Sequence, residues 1–594
     1  MVDFVSFRML GYAGPLLVCL TLYLTQVGLL LHLRGKAIHD HHHAESIRQA
    51  GNLWVQKAMI AAQVVYAEKL KGQGVVRPDM GKMPKGHPLN WLHSDVHGSD
   101  HDTARGNQMG NAAAAPSPSP FGGVLHGSQA KTISVVLPCA EERENALMTV
   151  QRFCERTPEA NLAEIIVVDD GSEPPLRTLF EKDPRKLLEN PHCKVRVLRH
   201  ETTQGLMNAK LTGGKAATGD VIGFFDCHVA PQMGWDKEII QKIAENPRRM
   251  VVPAITDLDM DTFDEKVNSA VNAKCYLTFD ADFKWFDDES DYIPTISGGL
   301  VAMGREWFNL TGGFDNEMHG WGGENLDQSL RAWLCGGEIM RAKSSRIAHM
   351  WRSGDHRTAS HYIVKARHTN NRGRVVAAWY DVFIPFFRGS VVAQNEVSGY
   401  DVVKKQLACK PFSYFLYRFR KMYIEGGVIP TRIFNLREKK TGLCLASNGY
   451  ATISAKCAAQ DDNQQFQLGN VDRQKNGGTC CSGIRKADSN DCLDYFDSRG
   501  SHFYSCDVSG NNQNQQYRLR GDGRIVKSFD HPHTCLYFDA QPGQPLRKRK
   551  CADMPAGEGI WEEYHAFEPV VMQTYKAEVA HHRFAEQFPH LPDN

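Results

Sequence analysis

Ala163-Glu164-Ile165-Ile166-Val167-Val168-Asp169-Asp170-Gly171-Ser172 carries four β-branched residues straight into two carboxylates and a glycine. A continuous apolar run of this length, without polar alternation, suits a strand buried on both faces. Similar runs lie at 133–137, 195–198, 221–225 and 250–255, and segments with helical spacing fall between several of them, at 145–155 and 206–217. Strands alternating with helices predict a mostly parallel sheet covered on both faces. Ligands of such sheets bind beyond the carboxyl ends of the strands, so the residues that follow each run carry the chemistry.

A second strand end is as suggestive. The run 221–225 leads into Asp226-Cys227-His228. In extended chain, residues i and i+2 project to the same side, so Asp226 and His228 can meet on one ion. A carboxylate with an imidazole suits Mn²⁺ or a similar divalent metal better than Ca²⁺, which prefers oxygen alone. The alternative is a strand-end carboxylate that caps the next helix.

The 594 residues predict about four domain-sized units at roughly 150 residues each. Lys and Arg total 69 against 68 for Asp and Glu, a net charge of +1 that argues against broad capture of nucleic acid. Residues 9–33 contain no charge and are long enough to cross a bilayer core as one helix, which takes about 20 residues. They predict a single N-terminal transmembrane anchor after a cytosolic tail at 1–8. Residues 34–128 hold His41, His42, His43 and a Pro/Ser run from Pro116 to Pro120, the composition of a flexible stem. Of the 16 cysteines, eight fall between Cys444 and Cys551. Such density predicts disulfides and an oxidising compartment, which places everything after the anchor on the lumenal side.

Several motifs, in order along the chain, resemble the polypeptide N-acetylgalactosaminyltransferases. They are the 163–170 run, Gly205-Leu206, Asp226-Cys227-His228, Ser297-Gly298-Gly299-Leu300, Trp321-Gly322-Gly323-Glu324-Asn325, Cys335-Gly336-Gly337, Ser345-Arg346 through His349, and Cys409-Lys410-Pro411-Phe412. The resemblance implies an α/β GT-A (Rossmann-like) glycosyltransferase domain at 129–425. It also implies Mn²⁺ as cofactor and UDP-N-acetylgalactosamine (UDP-GalNAc) as donor. His349 would join Asp226 and His228 as metal ligands, and Arg352 would grip the diphosphate. Asp169 or Asp170 would hold the uridine, with backbone near Pro138 and Cys139. Lys210 falls among the nucleotide contacts, and Gly298 and Gly299 would let backbone approach the sugar. Glu324 and Asn325 match the positions that hydrogen-bond the sugar, and Trp321 the aromatic on the loop that closes over it. Cys335 and Cys409 match a family bridge.

The chain departs from that family at several places. Thr203 stands where the family has a nucleotide-contacting arginine, and Asn208 and Lys210 soften the basic pair that follows. After Arg352 the family carries His-Pro-Tyr, whereas this chain reads Gly354-Asp355-His356-Arg357, so His356 stands one residue off and the tyrosine is missing. Ser344 replaces a cysteine of the family.

Residues 431–570 contain three similar units, Cys444-Leu445 to Cys457, Cys492-Leu493 to Cys506 and Cys535-Leu536 to Cys551. Their starts lie 48 and 43 residues apart, which predicts stacked equivalent modules. Gln464-Gln465-Phe466 and Gln515-Gln516-Tyr517 resemble the Gln-x-Trp element of ricin-type lectins, which implies an all-β β-trefoil lectin domain and a C-terminal tail at 571–594. Only the middle unit has both an acid after Cys-Leu and an asparagine before Gln-x-aromatic, Asp494 and Asn514. With Tyr504 or His502 as a stacking surface, these predict one site for GalNAc glycans.

With the anchor and the disulfide density, the resemblance implies a single-pass type II Golgi transferase of the retaining kind. It would move N-acetylgalactosamine onto Ser or Thr hydroxyls of peptides or glycopeptides, with front-face attack and the leaving diphosphate accepting the acceptor's proton. Two rivals stay open: a catalytically decayed relative that works as a glycan-binding scaffold, and a related transferase using another UDP-sugar.

Overall fold

The computed structural model describes residues 130–351, 368–387, 389–469, 483–487, 489, 491–496, 500–507 and 512–588. The anchor expected at 9–33, the stem, Arg352 and His356 lie outside them. No helix among the described residues is long and apolar enough to cross a membrane.

The apolar runs form the strands expected of them. β1 (Ile133–Cys139), β2 (Leu162–Asp170), β3 (Val195–His200) and β4 (Val221–Phe225) pair in parallel, in the order β3-β2-β1-β4. The helices α1 (Glu144–Arg156) and α2 (Leu206–Ala216) connect them, close to the spans predicted. Val135, Val136, Ile165, Ile166, Val167 and Val168 are fully buried, which is why these runs show no alternation.

The second half of the sheet is mixed rather than parallel. β5 (Val229–Pro231), β6 (Arg249–Asp259), β7 (Asp264–Glu265), the hairpin β8 (Lys274–Leu277) and β9 (Phe283–Phe286), and β10 (Leu300–Gly304) follow in the chain. β10 enters between β4 and β6, antiparallel to both. After α3 (Glu324–Leu334), β11 (Glu338–His349) runs parallel to β6 and antiparallel to β5. This reversal builds the site. Leu300 at the start of β10 pairs with Phe225 at the end of β4, which brings Gly299 beside Asp226, whose N–H donates to the Gly299 carbonyl at 3.0 Å. His349 at the end of β11 pairs with Val229, one residue past His228.

Helix α4 (Asn371–Trp379) packs against α3 through Trp379, whose indole N–H donates to the buried Asp327 carboxylate at 2.8 Å. Among the described residues twelve further strands follow, paired as one eight-stranded and one four-stranded sheet; in chain order they fall into three sets of four. The first set is β12 (Ile433–Glu438), β13 (Leu443–Asn448), β14 (Ala451–Lys456) and β15 (Phe466–Gly469). The second is β16 (Gly483–Lys486), β17 (Asp491–Phe496), β18 (Gly500–Ser505) and β19 (Tyr517–Leu519). The third is β20 (Ile525–Lys527), β21 (Thr534–Tyr537), β22 (Arg547–Lys550) and β23 (Trp561–Phe567). One shared core takes Leu445, Leu493 and Leu536, the leucine of each Cys-Leu pair, with Phe466, Tyr517 and Trp561. Trp561 thus completes in the third unit what the Gln-x-aromatic elements do in the first two.

The residues expected as a C-terminal tail are not a tail at 570–588. α5 (Val570–His581) is followed by a short turn of helix whose Phe584 packs on Tyr414 and Tyr417, and Ser413 donates to Glu578 at 3.3 Å. The bridges Cys335–Cys409, Cys444–Cys457, Cys492–Cys506 and Cys535–Cys551 form as expected. Cys139–Cys227 and Cys154–Cys193 are additional, and Cys275 is a buried free thiol.

Candidate active site

A cavity of about 510 Å³ opens beyond the carboxyl ends of β1, β2 and β4. This size suits a nucleotide-scale ligand. Pro138, Asp170, Thr203, Asp226, His228, Gly299, Trp321, Glu324 and His349 line it.

Asp226, His228 and His349 each offer one ligand atom, and these atoms lie within 4.8 Å of one another. One carboxylate oxygen faces both rings: Asp226 Oδ2 is 3.1 Å from His349 Nε2 and 3.9 Å from His228 Nε2. Burial opposes charge on Asp226, yet the hydrogen bond from His349 and the nearby His228, His349 and Lys210 hold its carboxyl well below the usual range. An ionised oxygen between two imidazoles is a donor set that fits a borderline divalent cation such as Mn²⁺. Glu142 Oε1, 3.1 Å from His228 Nδ1, orients that ring from behind, as outer partners of metal-binding histidines do.

Gly298 and Gly299 are needed here, though for a different neighbour than expected. A Cβ on Gly299 would stand 2.6 Å from Asp226 Oδ2, and one on Gly298, whose φ is +105°, 2.8 Å from Glu324 Oε1. The glycines make room for the acids themselves. Lys210 is buried, donates to the Gly298 carbonyl at 2.9 Å and pairs with Glu324 Oε1 at 3.4 Å. Glu324 Oε2 is buried on the cavity wall without a hydrogen-bond partner. A buried oxygen left open in this way suits a ligand hydroxyl.

The two acids after β2 part company. Asp169 is fully buried and saturated by the Ser172 and Leu176 N–H groups at 3.0 Å and by Arg199 at 2.6 Å, so it is a structural cap and does not reach the cavity. Asp170 does reach it, while holding the Gln204 and Gly205 N–H groups at 2.8 Å and His200 at 2.7 Å. Asn325 turns its amide to the Ile296 carbonyl at 3.1 Å and is not among the lining residues. Trp321 is 55% exposed at the rim. Its loop is held by Asn371, whose amide donates to the His319 and Gly322 carbonyls at 3.0 and 2.9 Å.

Sequence reasoning missed Glu142, the Cys139–Cys227 bridge and an aromatic wall of Phe283, Trp285 and Trp351. Trp351 lies 4.5 Å from His349, ring to ring, and 5.9 Å from Trp285, and it donates to Asp257 at 2.8 Å. A tryptophan two residues after a metal-ligand candidate was the available signal; the β8–β9 hairpin gave none.

Residues 134–308 match the glycosyl transferase family 2 description, and 286–353 the N-terminal domain of galactosyltransferase. The human polypeptide N-acetylgalactosaminyltransferase 13 is 33% identical over 342 residues, 53% of this chain and 59% of its own length. The inactive polypeptide N-acetylgalactosaminyltransferase-like protein 5 of Macaca fascicularis is 32% identical over 303 residues, 48% of this chain and 67% of its own. The chain belongs to the polypeptide N-acetylgalactosaminyltransferase family. Its N-terminal sheet is the GT-A glycosyltransferase fold of that family. The chain spans 59% of the length of the human relative. A crystal structure of GalNAc-T7 with UDP, GalNAc and Mn²⁺ aligns with a TM-score of 0.44 at 20% identity, over 74% of this chain and 82% of that one.

The middle unit of the C-terminal domain differs from expectation. Asp494 is fully buried, and its Oδ2 accepts from Asn512 at 2.9 Å and Gln515 at 3.0 Å. Asn514 accepts from Lys527 at 3.1 Å instead of meeting Asp494. Tyr504 stands 56% exposed on β18, and Asp494 Oδ1 has no hydrogen-bond partner.

Proposed function

We propose that this chain transfers N-acetylgalactosamine from UDP-GalNAc to Ser or Thr hydroxyls of polypeptides, retaining the α-anomer. The observation that carries the reading is the convergence of Asp226, His228 and His349 at the strand ends, within 4.8 Å of one another. Bound there, Mn²⁺ would supply a Lewis acid for the charge that develops on a departing diphosphate. The chain's own residues do the positioning. Asp226, His228 and His349 hold the cation, with His228 fixed by Glu142. Asp170, Pro138 and Thr203 line the nucleotide side, and Arg352 and His356 are assigned to the diphosphate from the family pattern. Glu324 offers its open Oε2 to a sugar hydroxyl while Lys210 sets the carboxylate's angle. Trp321 covers the rim, and Phe283, Trp285 and Trp351 form an apolar wall for an acceptor.

The C-terminal domain is read as a ricin-type β-trefoil lectin with its glycan site in the middle unit, on Asp494, Tyr504 and Asn514. The three sets of strands in chain order and the shared aromatic core support the fold, and Tyr504, exposed on the strand that pairs with the Asp494 strand, supports the site. Residues 9–33 would anchor the chain in the Golgi membrane with both domains lumenal, which the disulfide density favours.

The test is a mass assay of naked and pre-glycosylated Thr-rich peptides incubated with UDP-GalNAc and Mn²⁺. A gain of one N-acetylhexosamine is expected, blocked by chelator and by Asp226→Ala, His228→Ala or His349→Ala. Mn²⁺-dependent transfer in all three variants would sink the assignment. Thr203, in place of an arginine, favours a second reading as a glycan-binding protein without catalysis, which glycopeptide binding without UDP binding would support.

A further inference from the structure

β1 and β4 are paired as far as Val136 and Phe224, and past that pair the two strands run out into the cavity wall. Three residues further along each strand the chains are joined again, covalently. Cys139 and Cys227 form a disulfide with Cα atoms 5.4 Å apart, continuing the strand register beyond its last ladder pair. Cys227 is the middle residue of Asp226-Cys227-His228, and Cys139 lines the cavity next to Pro138. Both are 1% exposed.

Apart from the contact between His228 Nδ1 and Glu142 Oε1 at 3.1 Å, which reaches the loop after β1, the triplet's other ties run elsewhere. Asp226 N–H donates to Gly299 on the β10 side, and the His228 carbonyl accepts from Met350 N–H on the β11 side at 3.1 Å. Towards β1, the wall that carries Pro138, the Sγ–Sγ bond is the covalent link. Of the other bridges, Cys154–Cys193 joins α1 to the loop before β3, and Cys335–Cys409 sits behind α3; neither lines the cavity.

We propose that the Cys139–Cys227 disulfide is a positioning element of the metal site: it fixes the Asp226-to-His228 triplet against the nucleotide-side wall, and opening it weakens Mn²⁺ binding. The proposal rests on reading Asp226, His228 and His349 as the Mn²⁺ ligands. A covalent tie at the residue between two ligands limits how far either can stray, and metal and catalytic sites tolerate only about 0.5 Å of looseness. Outer groups that orient metal ligands are worth about 10–100-fold in metal affinity. Opening the bridge with a dithiol is balanced: the reagent's two thiols give two electrons and two protons to the Cys139 and Cys227 sulfurs and close into a cyclic disulfide.

The experiment titrates Mn²⁺ into the full-length chain with UDP present, reading free Mn²⁺ by electron paramagnetic resonance. It compares the wild type with C139A/C227A and with C154A/C193A, each checked for a cooperative thermal transition. The expected result is Mn²⁺ affinity lowered about 10-fold or more in C139A/C227A and close to wild type in C154A/C193A. Equal affinity in C139A/C227A and wild type, or an equal loss in both double variants, would overturn the proposal. Should C139A/C227A not fold, graded dithiothreitol on the wild type, followed by differential alkylation and mass spectrometry, serves instead. Affinity must then fall in step with labelling of Cys139 and Cys227 and return on reoxidation; labelling without loss overturns it. A wild type that binds no Mn²⁺ with UDP present would refute the metal site itself, an outcome distinct from equal affinity across variants.

Discussion

Replacing Gly299 with alanine puts one methyl against the oxygen that faces both histidines. The added Cβ would stand 2.6 Å from Asp226 Oδ2 and 3.3 Å from its Cγ. To regain ordinary contact near 3.4 Å, the oxygen must retreat by about 0.8 Å. The backbone itself accepts alanine, because Gly299 is not among the positive-φ glycines. The cost to folding is therefore overpacking alone, about 1–3 kcal/mol, partly offset by about 0.4–1 kcal/mol from a stiffer unfolded chain. The cost to function is larger in proportion, since a displacement near 1 Å at a reacting centre is worth about 100-fold in rate. We expect Gly299→Ala to fold, to need about 10–100-fold more Mn²⁺ for half-maximal transfer, and to lose rate even at saturating metal. Transfer to a Thr peptide, measured against Mn²⁺ concentration, checks this. A folded variant with unchanged Mn²⁺ dependence and unchanged rate would refute the argument that this glycine exists to admit Asp226.

Glu164 is fully buried and accepts from Arg196 at 2.8 Å, from Thr218 N–H and Oγ1 at 2.9 and 2.7 Å, and from Ser134 at 3.2 Å. Burial opposes its charge, but these donors overcome it and hold the carboxyl below its ordinary value. Its contribution is present above the unfolded pKa, near 4.3, and is lost as pH falls through the lower folded value. Glu164→Gln should cost about 3 kcal/mol at neutral pH, with the gap to wild type narrowing below pH ~4 in urea unfolding; a gap independent of pH would contradict this. Asn371→Ala removes two hydrogen bonds from the Trp321 loop, about 1 kcal/mol each, and should raise the donor KM while speeding hydrogen exchange at residues 319–323. Unchanged exchange there would show that Asn371 does not hold the loop. Asp494→Ala should lower affinity for a GalNAc-bearing glycopeptide about 10-fold while leaving Mn²⁺-dependent transfer to naked peptide intact; unchanged glycopeptide affinity would remove the middle unit as a glycan site.

What could be read from the sequence follows from how each feature is encoded. The strands β1, β2 and β4 were legible because burial on both faces writes them as unbroken apolar runs, β3 as a shorter half-buried one, and the Asp226 and His228 convergence because extended chain has a fixed period of two. His349 came from the family pattern, since β11 meets β5 only through a crossover that no local signal records. The antiparallel entry of β10 was likewise hidden: the apolar run Leu300-Val301-Ala302-Met303 carries no signal of strand direction. Asp169 and Asp170 show the limit most clearly. Adjacent, identical in type and both at a strand end, they alternate by the same period of two, so one turns inward to cap the 172–176 turn and meet Arg199 while the other faces the cavity. Which one does which depends on the phase of the pleat against β3, where Asp169 pairs with Arg199 and Asp170 with His200. That phase is a property of the neighbouring strand, and so are the partners of Gly298 and Gly299. Composition and spacing along one strand locate a site; the register between strands decides which of its residues act.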